Sequence, residues 1–397
     1  MNQRGTLSQL SPVPWRALCL LLFAGSACSR ADLVASGSEC PPGARALTSR
    51  LVDSVVLHES PATLLGNPAM TFTATPDGSL FIPDLELNRV SVYDGHGVLR
   101  GQLGRSGGGP GEFLSVGTFG IARDSLLLQS DDGGTRLNVY DSRSLAYRGQ
   151  ISYEGYFSWI SPARDGFLVG LLGSYGVAFL SWDHIAAALQ RNQIDPLRSD
   201  RVARPVEYRR YPLLNAWQDV KVVENGKGLL TLFGGTDYLL ADDSSGATDT
   251  IPVPICRRRG APKARLERWF TRPPGTAAEA RAARDATDNT ISALLGLWRR
   301  PNGEFLIWFQ DPVFEQDGRI FKGVAYLTVL SADLRRECID ARFEAPGTER
   351  ARLTVSADSV FVLDQVSTDL DGGTARTVVR KYLLDLSSCR WVQVRLR

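Results

Sequence analysis

Several residue groups in this chain have types and spacing that could do chemistry. Six carboxylates, Asp84, Asp131, Asp132, Asp237, Asp311 and Asp364, fall just after predicted second strands of a repeating unit. Oxygen ligands of this kind suit a calcium ion. The same acids also suit turn capping, in which a short carboxylate accepts backbone N–H groups. Capping is the expected role, so no metal site is assigned and no cofactor is expected beyond the calcium option. The three histidines, His58, His96 and His184, are too scattered to form a ligand set. No Ser/His/Asp or Cys/His arrangement is recognisable, so no catalytic residue is assigned. The glycine-rich run 104–111 invites comparison with a phosphate-cradling loop. Such loops need a following helix and a Lys-Ser/Thr pair, and neither follows here. The run is therefore expected to be structural, with glycine tolerating unusual backbone angles at a crowded crossing.

The remaining chemistry is electrostatic. Segment 257–289 holds Arg257, Arg258, Arg259, Lys263, Arg265, Arg268, Arg272, Arg281 and Arg284 against Glu267, Glu279, Asp285 and Asp288. This local excess of positive charge suits an anionic peptide, glycan or envelope polymer. Across the whole chain the formal charge is only +2, and just five of the 45 basic residues are Lys. Without an extended basic block, nucleic-acid binding is not implied.

The elements that position these residues begin after a leader. Arg4 and Arg16 precede the apolar run 17–24 and the small residues Gly25, Ser26 and Ala27, the layout of a secretory signal. Eight apolar residues cannot span a bilayer as a helix, which takes about 20. Cys28 follows directly. Ala-Gly-Ser-Ala-Cys resembles the lipobox of bacterial lipoproteins, although Gly25 stands where Leu is usual. The resemblance implies a lipidated Cys28 and an exported chain held at the cell envelope. Cleavage removes Arg4 and Arg16 and leaves a formally neutral mature chain. Residues 28–50 read as the lipidated start and a flexible tether, and 51–397 as a single domain. Export permits disulfides, and Cys40, Cys256, Cys338 and Cys389 are the candidates. Three pairings are possible. Cys40 with Cys389 is the preferred one, because tether and final blade should meet.

Six repeats define the domain. Asp77-Gly78, Asp124-Ser125, Asp165-Gly166, Asn225-Gly226, Asn302-Gly303 and Asp358-Ser359 each precede an apolar run, as hairpin turns do. Downstream of each lies an alternating strand, ending in Val92-Tyr93-Asp94, Val139-Tyr140-Asp141, Ser181-Trp182-Asp183, Leu240-Ala241-Asp242, Val329-Leu330-Ser331 or Leu383-Leu384-Asp385. The hairpin signals are 47, 41, 60, 77 and 56 residues apart, which fits four-stranded blades carrying inserted loops. The expected fold is an all-β, six-bladed propeller of four-stranded antiparallel blades, with partly helical insertions at 183–204 and 257–289. Strand 51–59 should join the last blade and tie the ring.

Asp77-Gly78-Ser79-Leu80-Phe81-Ile82-Pro83-Asp84, with Asn88-Arg89-Val90 and the run from Gly104 to Phe113, resembles an NHL-type repeat. The chain is similar to six-bladed propeller lipoproteins found widely in bacteria. That resemblance implies the architecture and leaves function open. Its enzyme relatives by fold are gluconolactonase-like metal hydrolases and peptidyl-hydroxyglycine lyases. The lyases use histidine ligands, which the positions of the three histidines here do not match. The expected function is non-catalytic binding or scaffolding of a peptide, glycan or protein partner by a monomer, with a calcium-dependent hydrolase or lyase as the alternative. Binding candidates are Asp84, Asn88, Arg89, Arg105, Asp131, Arg136, Tyr175, Asp237, Asp311, Arg258 and Arg268. They fall on the end of the ring where second-to-third-strand loops and blade-to-blade loops collect.

Overall fold

The computed structural model describes residues 48–69, 71–122, 126–131, 135–152, 157–171, 176–191, 202–203, 220–233, 238–243, 247–252, 293–314, 321–343, 352–367, 375–387 and 389–394. The chain enters as β1 (Thr48–Val56) and then folds into successive antiparallel meanders. The first comprises β2 (Thr73–Ala74), β3 (Leu80–Asp84), β4 (Arg89–Tyr93) and β5 (Leu99–Leu103). The second comprises β6 (Val116–Ala122), β7 (Leu126–Asp131), β8 (Arg136–Asp141) and β9 (Tyr147–Ser152). In the third, β10 (Phe157–Ala163), β11 (Gly166–Leu171) and β12 (Gly176–Ser181) are followed by α1 (Trp182–Arg191) and β13 (Val202–Ala203). The fourth is β14 (Val220–Glu224), β15 (Gly228–Phe233), β16 (Tyr238–Asp243) and β17 (Thr248–Pro252). The fifth holds β18 (Ala293–Arg299), β19 (Phe305–Phe314), β20 (Phe321–Leu330) and β21 (Arg336–Arg342). The last holds β22 (Leu353–Ser356), β23 (Ser359–Ser367) and β24 (Ala375–Asp385), and β25 (Trp391–Gln393) ends the described chain.

Local chemistry explains the turns. Gly78, Gly226 and Gly303 all sit at φ 87°, a conformation in which a side chain would be strained. Ahead of each, Asp77, Asn225 or Asn302 accepts N–H groups from the residues that follow. The downstream acidic turns work in the same way. Asp94 accepts from His96 and Val98, Asp141 from Arg143 and Ser144, and Asp385 from Ser387.

Packing explains why strands such as Leu-Phe-Ile-Pro-Asp of β3 are apolar without alternation, since both faces are buried. Six apolar clusters fill the spaces between consecutive sheets. Phe81, Val90 and Val92 meet Phe119 and Ile121. Leu137 and Val139 meet Phe167 and Leu180. Trp159 and Phe179 meet Val222 and Leu240. Leu230 and Ile251 meet Phe305 and Ile307. Trp308 and Val329 meet Val360 and Tyr382. Finally Leu363 and Val379 meet Leu80 and Tyr93, which returns the sequence of contacts to the first sheet. This closed cycle of sheet-on-sheet contacts is the core of a β-propeller.

Both chain ends reinforce the closure. β1 pairs antiparallel with β24 and completes the last sheet as its outer strand. It begins at Thr48, slightly before the expected 51–59 strand. β25 returns one sheet further back and pairs with β21, where Cys338 and Cys389 form a disulfide with Cα atoms 5.5 Å apart.

Three expectations are corrected. Five sheets are four-stranded blades rather than six, because β25 gives the sheet of β18–β21 a fifth strand. Its three residues carry no pattern of their own and are held by the disulfide and by the Val394 N–H donating to the Arg335 carbonyl. Cys389 pairs with Cys338 rather than Cys40, since β25 doubles back toward β21; Cys40 and Cys256 lie outside the described residues. A pair of helical insertions is not supported. Segment 257–289 lies outside the described residues, while the helix expected at the start of 183–204 is present as α1 and begins slightly earlier, at Trp182, where a strand-ending acidic turn was expected. There Ser181 acts as the N-cap, its hydroxyl accepting the His184 N–H, while Ile185 and Ala188 pack into the cluster shared with β8 and β9.

Candidate functional site

Strand direction places the β3–β4 turn, the β5–β6 loop and segment 57–69 at the end of the ring where binding residues are expected. Segment 57–69 crosses from the last sheet to the first as a strap. Its backbone polar groups cannot pair as a ladder along most of its length, so side chains from both sheets meet them. Glu59 accepts the N–H of Leu65 and, across the seam, the N–H of Thr377. Gln365 donates from its amide to the Leu65 carbonyl and accepts from Arg352 at 2.8 Å. Arg89 donates to the carbonyls of Ala62 (3.3 Å) and Leu64 (3.0 Å).

Asp84 is the centre of this arrangement. Its side chain is 0% exposed at the end of β3. One oxygen accepts the Gly66 N–H at 2.9 Å. The other accepts those of Asn67, Glu86 and Leu87 at 3.1–3.2 Å. Four backbone N–H groups thus converge on the carboxylate, three on one oxygen and one on the other. The residue that could have been a calcium ligand caps a turn and anchors the strap. Nearby, the Tyr93 hydroxyl is 3.5 Å from the Thr63 carbonyl. Burial, followed by the negative charge of Glu59, pushes the Tyr93 phenol up to about 12.

The glycine-rich loop is filled by the chain itself. Glu112 accepts the Gly109 N–H at 2.8 Å and pairs with Arg105 at 2.7 Å. The Gly109 N–H, followed by Arg105, holds the Glu112 carboxyl below its ordinary range. Gly104 has φ 73°, and a Cβ there would lie 1.9 Å from the Phe113 ring. Arg136 donates to the Gly108 carbonyl at 2.9 Å and ties the loop to β8. Asn88, at φ 48°, reaches the Ser106 hydroxyl at 3.4 Å.

Asp84, Asn88, Arg89, Arg105 and Arg136 are thus brought to one end of the ring, and each has a backbone or loop-building partner. Asp364 is paired with Arg380 at 2.9 Å on the adjoining sheet. Asp131 ends β7 and Asp311 lies within β19; only their backbone is described. Tyr175, Asp237, Arg258, Arg268 and Asp132 lie outside the described residues, as does Cys28. His58 follows β1 and donates its N–H to the Gly97 carbonyl, His96 lies in the β4–β5 turn, and His184 sits 2.9 Å from Ser181 within α1. Among the described residues no group of three or more His, Cys, Asp or Glu side chains gathers for a metal.

Sequence reasoning did not identify Glu59, Glu112, Arg352 or Gln365. Glu112 stands inside the quoted loop and could have been found as an acid facing a run of free amides. Glu59 and Thr377 lie 318 residues apart, and no local signal links them.

No protein-family model matches the sequence, so the NHL-type resemblance gains no support from that comparison. No curated protein matches it either. Solved structures do match. A protein from Bacteroides fragilis, named only as exported, aligns at TM-score 0.54 with 9% identity over 85% of this chain and 95% of its own. A member of the DUF4221 family from Bacteroides vulgatus aligns at TM-score 0.59 with 9% identity over 86% of this chain and 99% of its own. At such identities the likeness concerns the fold alone. Among the described residues no helix is long and apolar enough to cross a membrane.

Proposed function

We propose that the chain is an envelope-anchored lipoprotein whose propeller is a non-catalytic binding or scaffold module for a peptide, glycan or protein partner. The observation that carries this reading is the rim. Asp84, Arg89, Glu59 and Gln365 hold the strap, and Glu112 and Arg105 hold the neighbouring loop. Charged groups used in this way make a stiff frame for presenting loops, and rigid scaffolds with variable loops are the usual basis of recognition. Export fits the Cys338–Cys389 disulfide, which belongs to an oxidising compartment. Anchoring rests on Cys28 and the residues before it.

The partner-facing elements in this reading are the loops at the same end, including basic segment 257–289 with Arg258 and Arg268, and Tyr175 in its own loop. The test is affinity capture from envelope extract with the wild-type protein and a variant lacking 257–289. Loss of the same partners from the variant supports the reading, and equal recovery by both overturns the assignment of this end. In parallel, Cys28→Ala should move the protein from membrane to soluble fractions. A calcium-dependent rise in melting temperature would shift the reading to the metal-dependent hydrolase.

A further inference from the structure

The outer edge of β1 is a second surface, on the strand that leads into the strap. Among the described residues, β1 bonds to β24 along one edge and ends its sheet on the other. An open edge presents a row of backbone N–H and C=O groups to any extended chain. Three apolar side chains stand on this strand, Leu51 at 50%, Val52 at 42% and Val56 at 43% exposed. Arg50 and Asp53 flank the first two and are also exposed.

We propose that this edge pairs with β1 of a second copy of the chain. The paired strands run antiparallel about a two-fold axis between Leu51 and Val52. In that register Arg50 of each copy lies opposite Asp53 of the other, so the strand's one cation and one anion are matched twice. Leu51 meets Val52, and Ser49 meets Ser54.

The ladder to β24 shows that the register is also sound for the backbone. The Leu57 N–H donates to the Thr377 carbonyl, which fixes the residues turned toward β24. Counting back by twos brings Val55 and Asp53 to that side. The register then shifts between Leu51 and Asp53, with Leu51 opposite Tyr382 and Asp53 opposite Lys381. Beyond this bulge Arg50 faces β24 and Ser49 faces outward, as Ser54 does on the other side. Ser49 and Ser54 therefore form the hydrogen-bonded pairs of the new ladder, the Ser54 N–H exchanging its bond to the Asp53 carboxylate (2.8 Å) for the Ser49 carbonyl as that carboxylate turns to Arg50 of the other copy. Arg50 and Asp53 form its non-hydrogen-bonded pairs, in which opposing side chains come closest. A bulge ordinarily blunts an edge. Here the two bulges coincide at the axis, and the ladder on either side keeps its alternation. A dimer replaces the monomer expected from sequence.

The test is sedimentation velocity on the purified mature protein at concentrations up to about 100 μM. The wild type should show a concentration-dependent dimer. Arg50→Asp and Asp53→Arg should each weaken it about tenfold or more by setting like charges opposite each other twice. The double exchange Arg50→Asp/Asp53→Arg should restore it. Both side chains are exposed, so folding is expected to survive, and circular dichroism checks that. As an independent measurement, the Ser49→Cys/Ser54→Cys double variant should yield a covalent dimer on oxidation, since hydrogen-bonded pairs place Cα atoms about 5.5 Å apart. A wild type that stays monomeric, a dimer indifferent to either charge reversal, or a serine-to-cysteine variant that fails to cross-link would overturn the proposal.

Discussion

Replacing Asp84 by Ala removes one buried carboxylate and leaves four backbone N–H groups without their acceptor. Two of these, from Gly66 and Asn67, belong to the strap, and two, from Glu86 and Leu87, close the turn after β3. A hydrogen bond to a charged group contributes about 1.5–3 kcal/mol, and four bonds sharing one carboxylate are not additive. With the two strap bonds at the low end of that range and the turn bonds at the value of ordinary neutral ones, Asp84→Ala should cost about 4–6 kcal/mol. Asp84→Asn is the discriminating partner. Its remaining oxygen can still accept from Asn67, Glu86 and Leu87, while an N–H₂ group replaces the oxygen facing Gly66. That change should cost about 1–3 kcal/mol. The assay is urea unfolding followed by tryptophan fluorescence, with limited proteolysis to detect cleavage within 59–67. An Asp84→Ala midpoint equal to wild type would refute the capping argument. So would an Asn variant less stable than the Ala variant.

Other consequences follow from the same geometry. Gly104→Ala should destabilise by about 2 kcal/mol or more, because the new methyl meets the Phe113 ring in a left-handed conformation. Gly108→Ala, whose added Cβ would lie 3.9 Å from its nearest neighbour, should stay within about 0.5 kcal/mol of wild type by the same unfolding assay. Cys338→Ser should cost about 4 kcal/mol on chain entropy, given the 51-residue separation from Cys389, and reductant should have no further effect on that variant's melting temperature. For Tyr93 the folded phenol titrates at about 12, above its ordinary value of 10.0, because the ionised form is disfavoured by burial. Its contribution to stability is therefore complete below pH 10 and is lost as pH rises through 12. Tyr93→Phe should flatten that alkaline decline in a pH series of melting curves.

The turns were the most legible part of the fold, because an Asp-Gly or Asn-Gly pair states its own backbone conformation. At Asp77, Asn225 and Asn302 the side chain caps the turn and the following glycine takes φ 87°. The final hairpin shows the limit of that signal. At Asp358-Ser359 the left-handed residue is Ala357, one position earlier. At Ser181-Trp182-Asp183 the strand ends at Ser181, and the helix expected from His184 starts two residues earlier, at Trp182. A serine before an apolar stretch is both a strand end and a helix N-cap, and burial of Ile185 and Ala188 against the neighbouring sheet decides in favour of the helix. β25 was invisible, because three residues without a pattern become a strand only through a covalent link and β21 beside them.

The site was legible by position and not by role, and Asp84 shows why. Its place after a second strand correctly assigned it to the loop-bearing end of the ring. Acid at that place is compatible with a ligand and with a cap, and the two roles differ only in which donors surround it. Two of those donors come from Gly66 and Asn67, 18 and 17 residues earlier, on a strap whose path depends on ring closure. A cation binding at Asp84 would have to share the carboxylate with four backbone N–H groups that point at it, and competition with those of Gly66 and Asn67 would loosen the strap from β3. A ligand that engages this end without unfolding the strap must therefore use other groups: main-chain atoms of the rim, or side chains of loops beyond Asp84. Asp84→Asn separates the two cases, because under the capping role it lowers stability and leaves the affinity of the remaining folded protein for its partner unchanged.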